Sequence, residues 1–355
     1  MMTTRTALVT GANGHVGSNL VPALLQRGYR VRASVRDRAD RGKTGMLPTG
    51  DIELVSLDVR DAAQFREAAA GVDILFHVAA TFKNHTASRA EADEMVRDSM
   101  EGVQSAMLAA ARNGVKRVVL TSSVVTVPMV ERGGRATTEE DWRTDFTLPY
   151  NRAKTQAEQE AWRLAREHGL DLVAVLPGAI IGPGFSRRTP STNLIESIML
   201  GGLKMGAPDA NFPAVDIRDV VSGHVLAAES GATGRFIICN DVLPSLLELT
   251  RAMHAIDPAV PAAPRLLPPF TDNLAPLFDW INHKTLGTPR TVGREFAATI
   301  KGKVWTMSNA RAKRELGWHQ QISLEQSLAD TMTTLRQLRQ ASAAPSTVPD
   351  LKADA

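Results

Sequence analysis

Thr6-Ala7-Leu8-Val9-Thr10-Gly11-Ala12-Asn13-Gly14-His15-Val16-Gly17 is the stretch that decides the fold of this 355-residue chain. A short apolar run, Thr6 to Thr10, reads as a buried strand, and Val16 to Arg27 carries apolar residues at helical spacing. A second strand, Tyr29 to Val35, completes a strand, turn, helix, strand opening. Glycines at that turn allow a tight bend, let backbone approach a pyrophosphate and let helix pack on strand, with the helix N-terminus facing the anion. The turn therefore predicts a dinucleotide site that includes Gly11, Asn13, Gly14, His15, Val16 and Gly17. The other reading of the same glycines is a plain strand-to-helix turn.

Working outward, the alternation continues. Ile52 to Leu57, Asp73 to Phe76 and Lys116 to Thr121 read as strands, and Ala62 to Ala70 and Glu91 to Asn113 as the helices between them. Gly28, Gly71 and Gly114 fall where helices stop. A helix through Tyr150 and Lys154 runs to about His168, and a strand over Leu172 to Leu176 ends at Pro177. The fold class expected is α/β, a Rossmann-type doubly wound parallel sheet with a smaller C-terminal substrate-binding region. Residues 1–180 form the nucleotide-binding domain, with parts of 210–240 returning to it, and 181–340 mostly the substrate side. In that second part Pro177 to Thr189 and Gly201 to Pro213 read as loops. Val220 to Glu229, Leu243 to Ala255, Leu274 to His283 and Leu324 to Leu338 read as helices. Residues 341–355 have the composition of a disordered tail.

Composition narrows the class. Apolar content of 43% and charged content of 22% are those of a soluble protein, and no apolar run approaches the roughly 20 residues of a membrane span. The first ten residues lead directly into the glycine turn, so a cytoplasmic protein without a leader is expected. A net charge of +3 spread along the chain, with 5% aromatic residues, argues against a nucleic-acid partner. Cys239, the single cysteine, sits in the run Phe236-Ile237-Ile238-Cys239 and is expected in a buried strand, which excludes an internal disulfide and cysteine-based metal clusters.

At the end of the second strand stands Val35-Arg36-Asp37. An acidic group there commonly holds a ribose hydroxyl, but here a guanidinium comes first, one that can pair with a 2′-phosphate. Arg38, Arg41 and Lys43 add positive charge, so NADPH is expected over NADH. The competing reading leaves Arg36 solvated and gives the ribose to Asp37.

Tyr150 and Lys154 are separated by one helical turn in Tyr-Asn-Arg-Ala-Lys, on one face of their helix. An ammonium beside a phenol favours phenolate and is expected to lower the tyrosine pKa from about 10 toward working pH. That makes Tyr150 a candidate proton donor; a helix-surface tyrosine beside a solvated lysine is the bland alternative.

Taken together these residues resemble the extended short-chain dehydrogenase/reductases over about residues 5 to 240. The shared elements are Thr10-Gly11-x-x-Gly14-x-x-Gly17, Leu57-Asp58-Val59, His77-Val78-Ala79-Ala80, Thr121-Ser122-Ser123, Tyr150-x-x-x-Lys154 and Pro177-Gly178. A weaker echo lies in Lys313 to Trp318, and Val31 to Asp37 looks most like the dihydroflavonol reductase branch. The resemblance implies that Asp58 and Val59 flank the adenine, and that Val78, Ala79 and Ala80 line the pyrophosphate and ribose. It also implies that Thr121 borders the cofactor, that Pro177 and Ile180 touch the nicotinamide, and that Lys154 holds its ribose. Ser123, rather than its neighbour Ser122, would hold the substrate oxygen beside Tyr150. On its own, Asp58 could equally cap the helix starting near Asp61, and Val78 to Ala80 could be strand-end packing.

The activity implied is NADPH-dependent reduction of an aldehyde or ketone, with no metal, a small carbonyl or alcohol as partner, no membrane, and a homodimer as in many relatives. Two departures shape the substrate expectation. Ser99 stands where the family has an asparagine relay, and Pro128 stands where plant dihydroflavonol reductases read flavonoid hydroxyls, so a flavonoid is not expected. Substrate contacts are expected from Thr81 to Thr86, Val127 to Val130 and Thr189 to Leu194, while His85 reads as a solvated loop residue. The alternatives are a nucleotide-sugar epimerase or dehydratase with bound NAD, and an alcohol or hydroxysteroid dehydrogenase working oxidatively. Val124 and Val125, where a dehydratase carries acids, speak against the first.

Overall fold

At the centre of the sheet the strands are buried along their whole length, as strands covered on both faces must be. In the computed structural model, which describes residues 4–40, 44–48, 51–80, 88–287 and 293–343, the chain opens with β1 (Thr6–Val9), α1 (His15–Gln26), β2 (Arg30–Val35) and β3 (Ile52–Ser56). There follow α2 (Ala62–Ala68), β4 (Ile74–His77), α3 (Arg89–Arg112), β5 (Arg117–Thr121), a two-residue β6 (Val130–Glu131) and α4 (Pro149–His168). Next come β7 (Leu172–Pro177), β8 (Ala179–Ile181), α5 (Pro190–Met199), β9 (Ala214–Asp216), α6 (Ile217–Glu229) and β10 (Gly234–Ile238). The last part holds α7 (Leu246–Ile256), α8 (Ala275–Leu286), α9 (Arg294–Ile300), β11 (Lys303–Val304) and α10 (Leu324–Ala343).

Seven strands pair in the order β10-β7-β5-β4-β1-β2-β3, every pair parallel. Val9 lies in register with Ala33 on one side and Phe76 on the other, so the strand order reverses at β1. The carboxyl ends of β1 and β4 therefore flank the crevice where ligands of such sheets bind. This is the doubly wound α/β fold expected. On one face Leu20 and Leu24 of α1 and Val220 of α6 pack with Val9, Phe76 and Val119; on the other Phe65, Met107 and Leu164 pack with Leu8 and Leu75.

Gly28, Gly71 and Gly114 take φ of 78°, 70° and 64° just past their helices, the left-handed region that glycine enters at least cost. Asp61 caps α2, its carboxylate accepting from the backbone N–H of Ala63 and Gln64 at 2.9 and 3.0 Å, so Asp58 does not serve as the cap.

Beyond β7 a separate apolar centre gathers Ile181, Phe185, Ile195, Leu249, Met253 and Met332. Two small ribbons, β8 with β9 and β6 with β11, tie this region to the sheet. Several boundaries differ from the sequence reading. Thr189 to Leu194, expected in a loop, is the cap and first half of α5, where Thr189 and Thr192 form a reciprocal capping box. α6 begins earlier because Asp216 caps it, α7 begins later at the Ser245–Glu248 capping box, and α10 continues through Ala343. Among the described residues no helix is long and apolar enough to cross a membrane, and no cluster of His, Cys, Asp and Glu could hold a metal ion. Cys239 is buried immediately after β10.

Candidate active site

The glycine turn is closed by backbone on two sides and left open on the third. Gly11 has φ +64°, and a Cβ there would stand 3.0 Å from Ala79 Cα; a Cβ at Gly17 would fall 2.3 Å from the Gly11 carbonyl oxygen. At Gly14 a Cβ would meet only the Gly11 oxygen, at 3.3 Å. Gly14 is also the cap of α1, with no side-chain acceptor and no acid in the first turn, which leaves the helix N-terminus to an outside anion. Thr10, fully buried, fastens the neighbouring loop: its hydroxyl oxygen accepts from the N–H groups of Val78 and Ala79 at 3.0 Å. Val16 turns into the core and Asn13 is half-buried. The His15 ring faces away from the turn, Nε2–H donating to Pro183 O at 2.9 Å and the ring edge meeting Phe185. Burial lowers its pKa to about 4 and keeps it neutral.

One residue past β2, Arg36 is exposed and makes no ion pair among the described residues. Asp37 is engaged locally, its carboxylate accepting from Ala39 N–H at 2.9 Å. Asp58 pairs with Arg60 at 2.7 Å, and the hydrogen bond from that guanidinium, helped by the charge of Arg36, holds the carboxyl at about 2. Val59 packs over Gly102. Arg41, Lys43 and Thr81 to Thr86, including His85, lie outside the described residues.

At the carboxyl end of β5 the two serines divide. Ser123 hydrogen-bonds the Tyr150 side chain and accepts from Val125 N–H at 3.3 Å. Ser122 points the other way and donates to Glu158 Oε2 at 2.5 Å. Lys154 donates from Nζ to the Thr121 carbonyl at 3.0 Å. The electrostatics correct the expectation of a phenol made acidic by its lysine. Burial pushes Tyr150 up to about 12, with the Ser123 hydrogen bond pulling partly back, and burial pushes Lys154 down to about 8 against the charge of Glu158. The lysine spends a hydrogen bond on the backbone of β5, and the phenol is governed by desolvation and by Ser123.

Behind this edge lies a set of residues that the sequence reading did not single out. Glu158, buried one turn beyond Lys154, accepts from Ser122, from Trp162 Nε1 at 3.2 Å and from Arg235 Nε at 2.7 Å. Arg235, also buried, donates to the carbonyls of Glu139 and Asp141 and to Thr126 Oγ1, and stacks 3.6 Å over the Trp142 ring. Arg143 holds the turn after Ser123 by donating to the carbonyls of Val125 and Val127. His224, buried and lowered to about 4, donates from Nδ1 to Val220 O and accepts from Thr121 Oγ1 at 2.8 Å. The one legible signal was a glutamate at helical spacing on the face that carries Lys154.

Ala79, Ala80, Ser99, Gly102, Thr121 and Lys154 line one cleft. Ser99, in the asparagine position, spends its hydroxyl on Met95 O of its own helix at 2.8 Å. Gly178 is required by close approach, since a Cβ there would stand 2.1 Å from Pro213 O; Pro177 on one side closes β7 and Ile180 on the other lies half-buried in β8. Val127 is buried, and Val130 pairs with Val304.

A family model described as the NAD dependent epimerase/dehydratase family matches residues 7–239. An anthocyanidin reductase of Vitis vinifera is 34% identical over 269 residues, covering 68% of this chain and 79% of that protein. Sterol demethylase protein B of Methylococcus capsulatus is 33% identical over 324 residues, covering 88% and 93%. The crystal structure of gox2253 superposes with a TM-score of 0.78 at 30% identity, covering 94% of this chain and 98% of the other.

Proposed function

The chain belongs to the NAD-dependent epimerase/dehydratase family, in its dihydroflavonol reductase-like branch, and from that premise we propose an NADPH-dependent carbonyl reductase in which Tyr150 delivers the proton. It is an NAD(P)-dependent oxidoreductase. The observation that carries the finer reading is the hydrogen bond between Ser123 and Tyr150, with Lys154 one turn along at the edge of the cleft.

The residues fit a dinucleotide. The uncapped start of α1, the open side of Gly14 and the backbone N–H groups of the turn suit a pyrophosphate. Arg36, exposed and without an ion pair among the described residues, suits a 2′-phosphate, while Asp37 is occupied by Ala39 N–H. NADPH, when bound along this edge, supplies the hydride.

Ser123 donates to the substrate oxygen and orients the carbonyl beside the phenol. Tyr150, protonated across the neutral range because burial raises its pKa, gives its proton to the oxygen as negative charge develops there. Lys154, charged below about 8, lends positive potential to the site while its bond to Thr121 O fixes its position. Ser122 stays with Glu158 and holds the strand end from which Ser123 reaches Tyr150.

A second reading runs the same residues in the alcohol-oxidising direction. One experiment separates these: titrate the purified protein with NADPH and NADH, then follow nicotinamide absorbance with aldehydes and ketones, and in reverse with alcohols. Tight NADPH binding and carbonyl-dependent loss of absorbance are expected. Preference for NADH, or NAD retained through purification, overturns the proposal.

A further inference from the structure

α8 is mounted inside out. Leu274, Leu277, Phe278 and Ile281 follow the i, i+3, i+4, i+7 spacing of an apolar helix face, which a globular protein ordinarily turns inward. Here that face points to solvent: Leu277 is 51% exposed, Phe278 43%, Ile281 38% and the adjoining Trp280 46%. Two polar side chains turn inward, Asp279 only 8% exposed and Asn282 donating to Gly202 O at 2.9 Å, beside the half-buried Ala275, Pro276 and Leu286. Of the eleven large apolar residues exposed among those described, seven lie between Leu266 and Ile281. A concentration of this kind on one surface marks an interaction site rather than scattered surface residues.

The charges around the helix say what covers it. Lys284, exposed, lies on the outward side of its last turn. Lys301, exposed, bonds Asn273 just before the helix, and Arg265 is exposed just before Leu266, where the apolar stretch begins. A second copy meeting this face about a twofold axis would bring these cations against their own images. An anionic lipid surface attracts them instead, while Leu, Phe, Ile and Trp side chains enter the headgroup boundary.

We propose that the outward face of α8 is a docking surface for an anionic bilayer, on which the protein lies without spanning it. That no helix among the described residues is long and apolar enough to cross a membrane is compatible with this, because an interfacial helix needs no membrane-long apolar run.

The test is co-sedimentation of the full chain with phosphatidylcholine vesicles and with vesicles that also contain phosphatidylglycerol, at low and high salt. Wild-type protein is compared with Leu277→Glu/Ile281→Glu and with Lys284→Glu. Partition onto the anionic vesicles is expected to fall about tenfold in the double variant and several-fold in Lys284→Glu or at high salt, because apolar burial and charge act together. Both variants change exposed side chains of α8, so circular dichroism and thermal unfolding should match the wild type. No partition of the wild type onto either vesicle overturns the proposal, as does equal partition of both variants. Light scattering supplies the remaining outcome: if the double variant dissociates an oligomer and no vesicle binding is seen, the face joins two copies of this chain and the proposal fails.

Discussion

Replacing Glu158 tests how the reacting edge is held from behind. Its carboxylate is 1% exposed and satisfies three donors at once: Ser122, Trp162 and Arg235, itself only 7% exposed. Alanine leaves the Arg235 guanidinium buried without its counter-charge, and breaking a buried pair in that way costs about 3–5 kcal/mol. Arg235 keeps its bonds to Glu139 O, Asp141 O and Thr126 Oγ1 and its stacking on Trp142, which places the expected loss at the lower end, about 3 kcal/mol. Glu158→Gln retains an acceptor oxygen and loses the charge, so the expected loss is about 1.5–3 kcal/mol. The same charge supports the ammonium of Lys154 against burial, so its removal moves the Lys154 pKa further below about 8. The alkaline limb of the reductase pH profile should therefore shift to lower pH in Glu158→Gln. Urea unfolding measures the stability and kcat/KM against pH measures the shift. An alanine variant that loses less than about 1 kcal/mol, or a glutamine variant whose alkaline limb does not move, would refute the reasoning.

Arg36→Ala should raise the dissociation constant of NADPH about 10- to 100-fold, the range of one or two charge-assisted hydrogen bonds, and leave NADH nearly unchanged in fluorescence titrations; equal effects on both would remove Arg36 from phosphate recognition. Gly17→Ala drives a methyl into the Gly11 oxygen at 2.3 Å and Ala12 Cα at 2.6 Å, so urea unfolding should register a loss of about 1–3 kcal/mol or more, with cofactor affinity falling alongside. His224, buried and neutral, has a folded pKa near 4 against 6.5 unfolded, a depressed value. Its contribution is present above pH 6.5 and is lost as pH falls toward 4, amounting to about 3 kcal/mol. Urea titrations at stepped pH should show wild-type stability falling through that window more steeply than in His224→Gln, and parallel curves would contradict the assignment.

The sheet was legible because its signals are local. Thr6 to Gly17 sets strand and turn by apolar run and glycine spacing, and Gly28, Gly71 and Gly114 mark helix ends through a backbone conformation that glycine adopts at least cost. Ser123 meets Tyr150, and Lys154 bonds the Thr121 carbonyl at the end of the same strand. What the sequence did not disclose depends on distant partners. Glu158 and Arg235 are 77 positions apart, and a charged residue on a helix reads as solvated until the burying strand is known. The phenol pKa lies above rather than below its ordinary value because spacing reports nearness to Lys154 but not the desolvation that raises it. α5 was missed since its capping box uses a second threonine in place of a glutamate, and the inverted amphipathy of α8 is invisible to periodicity, which gives the apolar face but not its direction.

The central claim is that Tyr150 delivers the proton in an NADPH-dependent carbonyl reduction. The most direct measurement is kcat of Tyr150→Phe on an accepted aldehyde or ketone, taken beside its NADPH dissociation constant. The account predicts a fall in kcat of about 10²–10⁴-fold, the usual worth of a positioned general acid, with NADPH binding preserved. Turnover within a few-fold of the wild type would contradict it.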